Sequence, residues 1–439
     1  MRHLTTALVT TALAASLTAG LITLQEPQAQ AQRAAEAAPI NAEGEAQGLS
    51  RERLARIAPA MKAQVDAGIF PGAVTLIARR GEIVHYEAHG FVDGAKTKPM
   101  PKTALFRLAS MTKPIVSVAG VMMLERGMMS LHDPIAKWLP ELKDVKVETR
   151  TMKDGREVIE DVAPIRPVLV HDVFRHTAGF VFSGSTKSPR IKDMYEKANI
   201  EARENPISGD DMLKALGQIP LAHQPGTVWE YSIAVDVLGL LLERVAKKPL
   251  DVILKDMLLD PLGMTDTSFR LPPEKAARVA DWQPGDALAG PMGPSYAMHF
   301  DPAVKSYFRG GAGLVGTAED YFKFAQMVAN GGEANGRRYL SRKFVEFMLS
   351  NHTLGMGGST IATTGPGYGF GLGWATRLDE GMGTVPGSKG DAMWAGAWGT
   401  SFWIDPKEGL VGILMSQAPA RRTDTRMLMK NLTYGALVR

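Results

Sequence analysis

The sequence predicts an α+β fold, an α/β sandwich in which an antiparallel sheet flanked by helices carries a mainly helical inserted domain. Three observations support this. Strand-like runs around tight turns occur near both ends of the chain, helix-period stretches separated by Pro- and Gly-rich loops fill its middle, and no repeat of fixed period points to a solenoid or propeller.

Taken in order, residues 1–31 read as a secretory signal peptide. Arg2 and His3 start it, residues 4–24 are apolar and small, and Ala29-Gln30-Ala31 offers a small-x-small cleavage site. Residues 32–48, rich in Ala, Gln and Glu without an apolar face, are expected to be a flexible lead-in. Leu54, Ile57, Met61 and Val65 then recur at helical spacing, with Ser50 as cap and Gly68 as stop. Residues 73–78 and 83–90 form a β-hairpin around Arg79-Arg80-Gly81. Helices are expected over 115–125, 235–247 and 251–259, and Lys153-Asp154-Gly155-Arg156 turns a small extra hairpin. Near the other end, residues 401–404 and 410–416 flank Asp405-Pro406-Lys407-Glu408-Gly409 as another hairpin, and Leu428, Leu432 and Ala436 mark a final helix. This assigns 49–122 and 306–439 to the α/β domain and 123–305 to the mainly helical one.

Composition narrows the chemistry. Across 439 residues, 45% are hydrophobic and 22% charged, the balance of a globular protein able to build a large core. The absence of Cys excludes disulfides, thiolate zinc sites, iron–sulfur clusters and a cysteine nucleophile from these residues. A net charge of +4, spread along the chain, gives nucleic-acid binding no support. His85 and His89 lie in an alternating, strand-like run and so share no helix face, His-Glu-x-x-His is missing, and no metal or other cofactor is expected. A Gly-x-Ser-x-Gly elbow is missing as well, which disfavours an α/β-hydrolase.

One segment carries chemistry. Ser110-Met111-Thr112-Lys113 stands immediately before the helix 115–125, where free N–H groups and the positive end of the helix dipole favour developing negative charge. Lys113, three residues on, lies on the same side of the first turn and can take a proton from the Ser110 hydroxyl. Pro114 is tolerated there. Taken alone, Ser-x-x-Lys also describes a helix cap followed by a surface lysine.

Several further segments, in a matching order, resemble the serine β-lactamase-related family, in particular class C β-lactamases and family VIII carboxylesterases of the 1,4-butanediol diacrylate esterase type. These are Ile69-Phe70-Pro71-Gly72-Ala73-Val74, Ser130-Leu131-His132-Asp133-Pro134 with Trp138-Leu139-Pro140, His176-Thr177-Ala178-Gly179-Phe180, Gln224-Pro225-Gly226-Thr227 leading to Tyr231-Ser232, Pro261-Leu262-Gly263-Met264, and residues 310–314. The resemblance implies a β-lactamase/DD-peptidase-like fold with Ser110 as the acylated nucleophile, Lys113 as its proton partner and Tyr231 completing the relay. Trp394-Ala395-Gly396-Ala397-Trp398 is similar to the family's third motif in its Trp-x-Gly form. It implies an oxyanion hole from the Ser110 and Ala397 N–H groups, with Gly396 leaving room for substrate.

The departures bear on substrate. Where β-lactamases of this family carry Lys-Thr-Gly and Tyr-x-Asn, this chain has Trp394, Ala395 and Ile233. An apolar wall of Trp394, Ala395, Gly396, Trp398, Ile233 and Phe180 suits a neutral small-molecule ester better than an anionic drug. The expectation is an exported, periplasmic or secreted serine hydrolase cleaving carboxylic esters. It has no nucleic-acid partner and no membrane span once the leader is removed. The alternatives are a β-lactamase, a D-amino-acid peptidase or an acyltransferase on the same site, or a non-catalytic penicillin-binding-like module.

Overall fold

The computed structural model describes residues 44–201, 207–289 and 307–439, so the expected signal peptide and most of the lead-in lie outside the described residues. The end of that lead-in departs from its reading as flexible. Glu45–Ala46 pairs antiparallel with Leu49–Ser50, and the Gly48 carbonyl accepts from the Val438 N–H at 3.0 Å. Arg79 also binds the Gln47 carbonyl at 3.0 Å. These partners are remote in sequence, so local composition gave no sign of them.

Helix α1 (Ile57–Asp66) buries Ile57, Ala60, Met61 and Val65. The expected Ser50 cap serves a separate turn, Arg51–Leu54, where its hydroxyl accepts from the Arg53 N–H. Strands β1 (Gly72–Arg79) and β2 (Glu82–Gly90) form the first hairpin. Helix α2 (Thr112–Glu125) follows a 3-10 turn, Ala109–Met111, and is buried from Thr112 to Met123. It is apolar on all sides because it runs through the core, not along its surface. Strands β3 (Val147–Lys153) and β4 (Arg156–Val162) form the small extra hairpin. After several short helices comes α3 (Ala234–Ala246), which carries Asp236 in its first turn. Helix α4 (Ala318–Ala329), absent from the sequence reading, packs Tyr321 against Phe402 and Phe324 against Trp374. The chain then adds β5 (Tyr368–Phe370), β6 (Ala375–Arg377), β7 (Ala392–Ala395), β8 (Ser401–Asp405), β9 (Leu410–Ser416) and α5 (Arg422–Ala436).

The seven strands assemble in the order β5-β6-β7-β8-β9-β1-β2, every neighbouring pair antiparallel. The join between the two ends of the chain is β9 against β1, in register from Leu410↔Arg79 to Ser416↔Ala73. Alternation along these strands feeds two cores. Val74, Leu76, Ile413 and Met415 face α2 and α4, while Ala73, Ile77, Leu410 and Leu414 face α1 and α5. The first of these cores continues without a break through the helical middle, including Val173, Phe174, Leu238 and Leu241. It thus joins the sheet to the segment expected as an inserted domain.

Candidate active site

Ser110 sits at the tip of the 3-10 turn that leads into α2, and it retains exposed surface while Ala109 and Met111 on either side are buried. Ala109 has φ +46°, a left-handed conformation that a residue with a Cβ adopts at a cost of about 1 kcal/mol or more. The surroundings hold it there. Leu108 N–H donates to the Leu314 carbonyl at 3.0 Å, the Thr112 hydroxyl accepts from Leu314 N–H at 3.0 Å, and Tyr321 OH donates to the Met111 carbonyl at 2.9 Å. The turn presents Ser110 Oγ at the positive end of a 14-residue helix.

Two side chains converge on that oxygen. Tyr231 OH donates to Ser110 Oγ at 2.8 Å, and Lys113 Nζ lies 3.3 Å from it. Lys113 is 1% exposed, donates to the Gly311 carbonyl at 2.7 Å, and lies 4.8 Å from the centre of the Tyr231 ring. The buried Asp236 carboxylate in turn accepts from the Gly311 N–H at 3.2 Å. A Cβ on Gly311 would meet that same carboxylate, so glycine is required for the approach. Asp236 therefore fixes the carbonyl that fixes the lysine.

Burial raises the Tyr231 phenol well above its ordinary range, and the Asp236 charge adds to this. The Ser110 hydroxyl and the Trp394 indole oppose the shift only in part. The Trp394 N–H makes no hydrogen bond among the described residues, so its influence is that of a nearby dipole. Tyr231 is thus a phenol at neutral pH, a hydrogen-bond donor and not an anion. His176, with φ +58°, lies 4.9 Å from the Tyr231 ring centre to centre. Burial first, then the Lys113 charge, drives its pKa well below normal, so it is neutral. Its Nδ1 accepts from the Ser232 N–H at 3.2 Å, which assigns the ring proton to Nε2. His176 thereby anchors the backbone next to Tyr231.

The expected apolar wall is placed differently from its sequence reading. Phe180, Ile233, Trp394 and Trp398 are 2%, 0%, 4% and 0% exposed, so these side chains belong to the core. Trp394 packs 5.4 Å from Tyr231 and 5.3 Å from Phe370, while Trp398 stacks near Trp282 and the Arg107 guanidinium. Gly396 is also buried. A Cβ there would strike the Leu108 carbonyl and the Thr400 hydroxyl, so glycine is demanded by contact between β7 and the Ser110 turn, where room for substrate was expected. Ala395 and Ala397 do keep exposed surface, and the Ala397 N–H has no acceptor among the described residues.

Two neighbours escaped the sequence reading. Phe182, partly exposed, meets Tyr231 edge to face with ring centres 5.3 Å apart and lies under Lys113 Nζ at 5.8 Å. The aromatic at the cleft is thus Phe182, and Phe180 packs inward. Arg426 on α5 donates to the Gly396 and Thr400 carbonyls, and burial pushes its pKa down to about 9. The apolar spacing that marks α5 carries no sign of a cation aimed at the bend after β7.

Comparison with known proteins agrees with this architecture. A family model described as Beta-lactamase matches residues 57–432. Protein Rv1367c of Mycobacterium tuberculosis is 33% identical over 363 residues, covering 80% of this chain and 87% of the relative. Esterase EstB of Burkholderia gladioli is 32% identical over 360 residues, covering 79% and 85%. The solved structure of EstCE1, described as a hydrolase with promiscuous acyltransferase activity, matches with TM-score 0.71 at 27% identity over 87% of this chain and 98% of that one.

Proposed function

The chain belongs to the β-lactamase family of serine hydrolases, and from that premise we propose that it cleaves carboxylic esters through an acyl-enzyme on Ser110. The observation that carries the reading is Ser110 Oγ held between Tyr231 OH at 2.8 Å and Lys113 Nζ at 3.3 Å. Since burial keeps the phenol protonated, the base that begins the cycle is Lys113, whose Nζ lies 3.3 Å from Ser110 Oγ. Ser110 Oγ bonds to the ester carbonyl carbon as its proton passes to Lys113. The negative oxygen of the tetrahedral intermediate takes hydrogen bonds from the Ser110 and Ala397 N–H groups. Tyr231 gives its proton to the departing alcohol, recovers one from the Lys113 ammonium, and the acyl group stays on Ser110. Water then repeats the steps in reverse order and releases the acid.

Neutral esters are favoured by what stands on β7. Ala395, partly exposed beside the bend, offers no hydroxyl to a substrate carboxylate. The relative EstB is named an esterase, which supports the same substrate class. The description of EstCE1 supports acyl transfer as a second outcome of the same acyl-enzyme. The apolar leader at residues 4–24 supports export to the periplasm or beyond, to be checked by fractionating cells that express the full chain.

The decisive test is Ser110→Ala. Turnover of nitrophenyl acetate is expected to vanish, and a fluorophosphonate probe should label wild type at Ser110 and leave the variant unlabelled. The melting temperature should stay close to wild type. Retained turnover in the variant would end the reading.

A further inference from the structure

We propose that His85, Glu87 and His89 form a binding site for a divalent transition ion such as zinc, away from the Ser110 cleft. Among the described residues this is the one group of three or more His and carboxylate side chains whose ligand atoms all lie within 4.8 Å of one another. The arrangement follows from strand geometry. Residues i, i+2 and i+4 of a strand share one face, so the alternation that rules out a shared helix face brings these three together on β2. Their partners across the ladder are Ile77, Thr75 and Ala73, which places the group on the side of the sheet that faces α1. The candidate active site abuts β7, four strand positions away in the sheet, roughly 19 Å.

The donor set suits a borderline ion. Two imidazoles and one carboxylate are the ligands of many three-residue zinc sites, with a further position left to water, and the nitrogen content favours zinc, cobalt or nickel over magnesium or calcium. Both histidines are buried, while the Glu87 side chain is 46% exposed and opens the group to solvent.

Thr75 adds a hydroxyl to the centre of the group, its Oγ1 2.7 Å from His85 Nε2 and 2.8 Å from His89 Nε2. It has one proton to give, so it donates to one ring and accepts from the other. The Glu87 carboxylate is 3.7 Å from His85 Nδ1, too far for a good hydrogen bond. Ligands around a tetrahedral ion stand about 3.3 Å apart, a closure that rotation of the half-exposed Glu87 and small ring movements can supply.

The test uses the full chain freed of metal by chelation and titrated calorimetrically with Zn²⁺, in parallel with Co²⁺ followed by its visible absorption. Binding of one ion per chain is expected, with a rise in melting temperature. His85→Gln and His89→Gln should each weaken Zn²⁺ at least about tenfold. If a buried-histidine variant fails to fold, Glu87→Gln, altered at an exposed carboxylate, gives the same reading by weakening Zn²⁺ and changing the Co²⁺ spectrum. No uptake of either ion, or uptake that is insensitive to all three substitutions, would overturn the proposal. Hydrolysis of nitrophenyl acetate should be unchanged by Glu87→Gln.

Discussion

Helix α5 borders two polar regions that are built on opposite terms. One turn of it carries Arg426, which supports the bend after β7 beside the Ser110 cleft. The next carries Lys430, which enters a buried cluster with Asp391, Arg377 and Tyr368. In that cluster Asp391 accepts from Arg377 Nε at 2.8 Å, Lys430 Nζ at 3.0 Å and Tyr368 OH at 2.9 Å, and Arg377 also donates to the Val385 carbonyl at 3.0 Å. Around Tyr231, by contrast, His176 Nε2, Trp229 Nε1, Trp394 Nε1 and Arg426 Nε are buried with no hydrogen-bond partner among the described residues. An unpaired buried polar atom costs about 1–3 kcal/mol. Those four atoms carry that cost beside the cleft, whereas the Asp391, Arg377 and Lys430 charges are paired with one another where β5, β6 and α5 meet.

The largest expected effect breaks the cleft alone. Lys113→Ala and Tyr231→Phe should each lower kcat on nitrophenyl acetate by roughly two to four orders of magnitude, as for other positioned acid–base groups. Because both act on the same proton, the double variant should lose far less than the product of the two single losses. Fully additive losses would mean that they serve separate steps. Melting temperatures should move little in either single variant.

The converse substitution tests the other region. Asp391→Ala leaves the Arg377 and Lys430 charges buried without their shared partner, and should cost about 3–5 kcal/mol in denaturant unfolding. The folded fraction should keep its kcat. A variant of normal stability with reduced turnover would erase the distinction between the two regions.

Much of the cleft was legible because its parts are local. Ser110 and Lys113 are bound to one helical turn, and Tyr231 stands at a recognisable helix entry. The hairpins β1–β2 and β8–β9 were legible for a similar reason, since each turn and its flanking runs are contiguous. What failed depended on distant partners. Phe180 and Phe182 cannot be told apart until His176 and Lys113 are in place, because each is an aromatic in the same loop. Trp394 reads as a wall residue until Phe370 covers it. The Asp391 cluster joins residues from 368 to 430, and no single one of them announces it. At His85 the alternating, strand-like run was legible, but the approach of the His85, Glu87 and His89 ligand atoms to within 4.8 Å of one another belongs to the folded strand.

Acid should unsettle the molecule through its buried histidines. Burial, with Arg175 and His352 adding to it, lowers His171 to about 3, and His176 is also driven far down. In the unfolded chain both titrate near 6.5. Below that value the unfolded state binds more protons than the native one, so stability falls as pH drops from 6.5 toward 3 and is unaffected by these groups above 7. His171 retains some exposure, and a contribution on the order of 2 kcal/mol is expected after allowing for solvent. Unfolding curves of His171→Gln from pH 7 to 4 should show a shallower decline than wild type. An equal slope would mean that His171 is protonated in the native state.

The smallest effect concerns selectivity, and the burial of Trp394 divides it in two. Replacing Trp394 by Lys would put an ammonium into the ring cluster beside Tyr231, so its first consequence should be lost stability and a perturbed phenol. Ala395 is different, since it is partly exposed at the end of β7, next to the Gly396 that meets the Ser110 turn, and a hydroxyl there replaces no buried ring. Ala395→Thr should therefore leave the melting temperature close to wild type and add one hydrogen bond to an anionic substrate. A bond of that kind contributes about 1 kcal/mol, or roughly fivefold in the ratio of nitrocefin to nitrophenyl acetate turnover. Because Arg426 already holds the neighbouring Gly396 and Thr400 carbonyls, the strand end should keep its shape when the side chain changes. An unchanged ratio with unchanged stability would place the substrate away from Ala395 and shift attention to Phe182 as the surface it meets.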